Sequence, residues 1–343
     1  MRNLTSRLLC ALAIIAAALP GQTGHPSLEG IWTNATLTPL ERPVAFAGKL
    51  TVTDAEAAVY QKQQEDELKA GDGKSEGEFH RRAGSGETGG YNALFIDRGS
   101  DLARVDGVKR TSLIIDPPDG RVPTLTPEAR ERLRSMRRGG TDSAKDRPLS
   151  ERCLLSFGSS SGPPMLPVLY NNNYQIVQTP DTVMILVEMI HDVRVIRMNA
   201  SHDPDNIRKW MGDSVGHWEG DTLVVDTTNF NDQVNFRGSS KNLHVVERFK
   251  RIDARTLLYR ATIDDPTTFS KSWTLEYPFV ATSGPIYEYA CHEGNYARRY
   301  FGRRAEGRAP GFAEVDRLLV AGQRGSITTI STLRWAGVTV RLS

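Results

Sequence analysis

Four side chains able to move protons or hold charge stand beside apolar runs: His191, Arg194, Glu247 and His292. His191-Asp192-x-Arg194 groups a general base, an orienting acid and a cation that could face a developing oxyanion. On a strand, neighbouring residues point to opposite faces, so His191 and Asp192 form one dyad only if a turn or bulge intervenes. Glu247 lies on the odd face of Leu243–Phe249, which otherwise reads Leu, Val and Phe. A carboxylate among apolar neighbours is costly unless paired or protonated. Glu247 is therefore an acid/base group, the partner of a barrel arginine such as Arg194 or Arg248, or a side chain that reaches solvent over a bulge. The odd face of Leu257–Ile263 reads Leu, Tyr, Ala, Ile, and placing Tyr259 inside gives its hydroxyl a partner to find. His217 beside Trp218 and His292 beside Glu293 are further proton carriers, each with core-rim packing as the plainer alternative, while His244 falls on the polar face of its strand.

Familiar catalytic signatures are missing. The chain has no Walker A loop, no Rossmann glycine fingerprint and no Gly-x-Ser-x-Gly elbow. Cys153 with Cys291-His292-Glu293 lacks the CxxC or HxxxH spacing of a metal site, so neither metal nor cofactor is expected.

The elements that must position these residues run from Tyr174 to Cys291. Short runs rich in Val, Ile, Thr, Tyr and Trp alternate there with turn residues, at Pro180-Asp181, Glu219-Gly220-Asp221 and Asp253-Ala254-Arg255. No segment between them is long enough and rightly spaced for a crossover helix, so neighbouring strands should pair antiparallel. The apolar residues on both faces of Val183–Ile190 suggest a strand covered on two sides. The expected fold is mainly β: an antiparallel meander closed into a barrel, with a few short helices in the N-terminal half. Those helices are about 55 to 68, capped by Thr53-Asp54, and PEARERLRSMR after Thr126-Pro127.

The remaining segments frame this barrel. Residues 1–20 read as a signal peptide, with Arg2 and Arg7 before a short apolar core, which implies a periplasmic or secreted protein. No other apolar run could span a bilayer, so no stable membrane insertion is expected. Cleavage of that segment leaves Cys153 and Cys291, an even pair that suggests a disulfide in an oxidising compartment. The barrel domain should span 28–300, with flexible polar stretches at 71–92 and 138–150 and a poorly ordered tail or extra strands at 301–343. The chain has 343 residues and a net charge of +2; its arginine clusters are not interleaved with aromatics, which argues against nucleic acid as a partner.

Gly30-Ile31-Trp32 close after the signal is the pattern with which lipocalins begin their first strand. The phrases YNNNYQIVQTPDTVMILVEMIHDVRVI, GDSVGHWEGDTLVVDTTNF, LHVVERFKRID and YEYACHEGNY resemble a widespread family of signal-bearing bacterial proteins. The resemblance covers roughly Gly30 to Tyr296, implies a lipocalin-like (calycin) barrel and brings no established activity. Where the family pattern has an acidic-Gly-Arg-Pro-His turn, this chain has Asn199-Ala200-Ser201-His202. The reading that follows is an exported barrel holding a small, mainly apolar molecule. A cofactor-independent lyase, isomerase or hydratase built on His191, Glu247 and Arg194 is the alternative, and an interaction module the second.

Overall fold

The computed structural model describes residues 24–72, 96–138, 147–156 and 162–291, together with the strand pair 333–335 and 338–340. Strand β1 (Gly30–Thr33) comes first, and two-residue β2 (Thr51–Val52) leads into helix α1 (Asp54–Asp72). Thr53 and Glu56 form a reciprocal cap at its start: the Glu56 carboxylate accepts from Thr53 N–H at 2.9 Å and the Thr53 hydroxyl accepts from Glu56 N–H at 3.2 Å. Strands β3 (Arg104–Val105), β4 (Val108–Arg110) and β5 (Ile114–Asp116) precede helix α2 (Pro127–Arg138), whose proline occupies the first helical position.

The meander then runs through β6 (Asn173–Gln178), β7 (Thr182–Val187), β8 (Val193–Met198), β9 (Asp213–Glu219), β10 (Thr222–Thr228), β11 (His244–Arg251), β12 (Thr256–Asp264) and β13 (Trp273–Ala281). Strand order is β1-β6-β7-β8-β9-β10-β11-β12-β13-β5, and β1 also pairs with β13, so nine strands close into a barrel with β5 added outside the ring. The fold is mainly β, as the sequence predicts.

Turn chemistry fixes the hairpins. Gly220 (φ 58°) and Asp221 link β9 to β10, the positive angle falling on the first central residue. Thr179 and Thr182 lock the Pro180-Asp181 turn through three hydrogen bonds of 2.8–3.1 Å. Among the described residues no helix interrupts the run from Thr222 to Glu276, and every pairing from β9 through β13 is antiparallel.

Three expectations need correction. Strands β8 and β9 pair parallel, Ile196 opposite Ser214 and Met198 opposite Gly216. The connecting residues 199–212 carry the chain back to the starting end without a helix, which a search for crossover helices overlooks. The outer face of β7 is not covered: Met184 is 37% exposed, whereas Val183, Ile185 and Val187 are buried. The last barrel strand ends at Ala281, so Tyr287 and Tyr289 lie beyond the meander. Of the stretches expected to be flexible, 71–92 overlaps the end of α1 and otherwise lies outside the described residues, as does most of 138–150. Leu333–Trp335 and Val338–Val340 pair antiparallel within a separate unit.

Period-two alternation aims one face of each barrel strand inward. The core so formed includes Trp32, Tyr174, Phe249, Tyr259, Tyr277 and Phe279, each at most 1% exposed. Trp32 is held by its indole N–H, which donates to Leu28 O at 3.0 Å, and by the Arg251 guanidinium 5.3 Å from its ring. Among the described residues no helix is long and apolar enough to cross a membrane.

Candidate functional site

Arg194 on β8 and Glu247 on β11 both occupy inward positions, and they meet. Nη1 lies 3.0 Å from Oε1 and Nη2 2.5 Å from Oε2, a two-bond match of guanidinium fork to carboxylate. The pair is 2% and 0% exposed. Tyr259, inward on the next strand, donates its hydroxyl to Oε1 at 2.8 Å. The same hydroxyl accepts from the backbone N–H of Met165 at 2.9 Å, and the Met165 carbonyl accepts from the Tyr277 hydroxyl at 2.7 Å. Asn34, directly after β1, donates from Nδ2 to Tyr277 at 3.0 Å and to Tyr174 at 3.2 Å. An unbroken polar line thus crosses an aromatic interior from Arg194 to Tyr174.

Met165 belongs to residues 162–168, a strap without helix or strand that enters the barrel; its side chain is fully buried. Two atoms of the line stand apart. Arg194 Nε and Asn34 Oδ1 are buried and have no hydrogen-bond partner among the described residues. Burial, the largest single effect, would lower the Arg194 guanidinium, but the charge and hydrogen bonds of Glu247, with smaller help from Tyr259 and Tyr174, together outweigh it and hold the group above its ordinary value. Burial pushes the phenols of Tyr174, Tyr259 and Tyr277 up, so all three remain protonated donors.

Of the four residues singled out from the sequence, Arg194 and Glu247 are brought together. His191 is not part of this line. It ends a 3-10 turn, Met189–His191, and is exposed there, with φ 46° after Ile190 at φ 62°. A turn does intervene between His191 and β8, but it sends the imidazole to solvent. His292 lies outside the described residues. His217 is exposed and sits 3.3 Å from Glu219.

Sequence reasoning missed Asn34 and Met165, which lie outside the alternating strand runs. Tyr174 and Tyr277 are legible as inward alternating positions, and a buried phenol always needs a partner; that need was the available signal. It also missed a second polar cluster on the barrel's outer wall. His202 of the 199–212 connection reaches Asp213 Oδ2 at 3.1 Å through Nδ1 and Asp226 Oδ1 at 2.9 Å through Nε2. His244 Nε2 meets the other oxygen of Asp226 at 2.8 Å. Arg197 and Lys209 close on Asp213 at 2.8 and 2.5 Å. The hydrogen bond to Asp226 raises the His244 imidazole, and the same bond lowers the Asp226 carboxyl. These six side chains are spent on one another, and among the described residues no three His, Cys, Asp or Glu side chains are set to hold a metal ion.

No family model, curated protein or solved structure matches the chain. Its class is defined by the fold itself: a closed barrel with a charged and phenolic centre.

Proposed function

We propose that this protein is an exported, lipocalin-like barrel that binds a small, mainly apolar molecule in its lumen. The observation that carries the reading is the buried Arg194–Glu247 pair with an unpartnered donor, Arg194 Nε–H, and an unpartnered acceptor, Asn34 Oδ1. Burying two charges contributes little net stability compared with apolar residues of the same volume, and each unpaired buried group costs about 1–3 kcal/mol. A core selected for packing alone has no use for either. A binding site does, because a few polar groups in an apolar cavity fix a ligand's orientation.

The aromatic walls of Trp32, Tyr174, Phe249 and Phe279 suit a flat or apolar body. Export rests on the signal-like residues 1–20 and on Cys153 and Cys291, whose sulfurs lie 2.08 Å apart. The lyase, isomerase or hydratase alternative is weaker. Both Glu247 oxygens are engaged by Arg194 and Tyr259, and His191 faces solvent.

Native mass spectrometry of the protein purified from its own host tests the proposal. A retained adduct of constant mass, lost on denaturation, is expected. A bare polypeptide mass, together with no saturable binding of the neutral fluorophore N-phenyl-1-naphthylamine, would rule it out.

A further inference from the structure

Resting on that reading of the lumen, we infer that the ligand it recognises carries an apolar group flanked by an amide N–H and a carbonyl, and that Met165 of the strap occupies this site in cis. The two strap-binding tyrosines are wired in opposite senses. Tyr259 gives its only proton to Glu247, which itself faces the Arg194 fork, so what it offers inward is a lone pair. That lone pair takes the Met165 N–H. Tyr277 receives a proton from Asn34 Nδ2, so what it offers is its hydroxyl proton, taken by the Met165 carbonyl.

The pair is thereby fixed as one acceptor and one donor. A phenol normally plays either part by rotating its O–H, but each of these has one role held by a buried neighbour. Glu247, paired with the Arg194 fork, accepts and does not donate, and the Asn34 amide nitrogen donates and does not accept. The arrangement reads the N–H and C=O of a single residue, as a neighbouring strand would, while the aromatic interior takes that residue's apolar side chain. A ligand with two acceptors or two donors in those places would leave one fully buried phenol unsatisfied, and an unpaired buried polar group is the strongest source of discrimination available to such a site. Arg194 adds no demand for an anion, because Glu247 neutralises it. The class is therefore a neutral N-acylated apolar amino-acid amide or a short apolar peptide. It must displace Met165 to enter, so the strap acts as a built-in competitor that lowers apparent affinity.

The probe is N-acetyl-methionine amide, which reproduces Met165 with both flanking amide groups, titrated calorimetrically into the full chain. In Met165→Gly the strap loses its anchoring side chain, and affinity should rise at least tenfold over the wild type. Adding Tyr277→Phe or Tyr259→Phe to that variant should return at least tenfold of the gain. No gain in a Met165→Gly protein that keeps its far-ultraviolet dichroism overturns the inference, as does a gain that neither phenylalanine variant reduces. If Met165→Gly fails to fold, the wild type decides. Saturating probe should speed hydrogen exchange at the Met165 amide at least tenfold, and an unchanged rate overturns the inference. N-Phenyl-1-naphthylamine, which has no carbonyl, separates the two readings. If it binds and the amide probe does not, the amide inference fails and the lumen reading stands; if neither binds, both fail.

Discussion

Removing the Glu247 carboxylate while Arg194 stays would leave a guanidinium in an interior from which solvent is excluded. Glu247→Ala should therefore lower stability by about 3–5 kcal/mol, whereas the double change Arg194→Met with Glu247→Leu should be near neutral or stabilising. Urea unfolding of both variants checks this, and a double variant as unstable as the single one would mean the pair contributes more than its desolvation removes. The outer wall makes a different residue-scale prediction. Because Asp226 raises the His244 imidazole above its ordinary 6.5, this bond contributes its full stability below that pH and loses it as pH rises through the folded-state value. The lowered Asp226 and Asp213 carboxyls work the opposite way, their contribution present above about 3.8 and lost as pH falls further. His244→Gln should flatten the decline on the alkaline side and, because its bond is the largest cause that lowers Asp226, reduce the acid-side decline while leaving the part that Asp213 supplies. Stability measured from about pH 2 to about 9 reads this out, and an alkaline decline that persists in the variant would assign it to another group.

The parallel seam between β8 and β9 is the element the sequence hid, and it depends on a missing side chain. A Cβ at Gly216 would stand 2.8 Å from Ile196 Cγ2 and 3.0 Å from Met198 Sδ, so a larger residue there forces those side chains to shift. Gly216→Ala should cost about 1–3 kcal/mol by overpacking. Gly220→Asn is the control: its turn position has φ 58° and open space, and asparagine tolerates that angle. Equal losses at the two positions would put the seam's closeness in question. This contrast also explains what could be read in advance. Hairpins such as β9–β10 are written locally, in turn residues and alternation, and so is the inward position of Glu247 and Tyr259. The partner that reaches Glu247 is set by closure of the ring, because Arg194 stands at a sequence separation of 53 from it. The return of 199–212 to a parallel pairing is likewise decided by contacts such as His202 with Asp226, which no local pattern announces. His191 illustrates the converse. Its sequence neighbours suggested a dyad, but the 3-10 turn, with Ile190 held in a left-handed conformation by burial, turns it outward.

At the scale of the whole molecule, a covalent link ties the chain that leads into the strap to the chain that leaves the last barrel strand. Cys153 lies on the chain that leads into the strap, and Cys291 lies ten residues beyond the last barrel strand; their Cα atoms are 5.9 Å apart. The stacking of Tyr170 against Tyr289 and the hydrogen bond from Tyr287 N–H to the buried Glu188 carboxylate, 3.0 Å long, hold the same region. These contacts are few, so a covalent link has much to add there. With a sequence separation of 138, loop-closure entropy gives about 5 kcal/mol as an upper figure for a bond that constrains the unfolded chain. Protein lacking residues 1–20 should accordingly show no free thiol when unfolded without reductant, and two such thiols would remove the disulfide from the account. Cys153→Ser with Cys291→Ser should lower the urea midpoint and steepen the transition, because an unlinked chain exposes more surface on unfolding. The barrel strands should survive that loss, since none of their pairings involves either cysteine. The strap should not be equally indifferent. Freed at its far end, it should exchange its Met165 amide faster than the β12 amides in the same protein, whereas uniform acceleration would mean that the link stabilises the barrel as one unit and the strap has no separate motion.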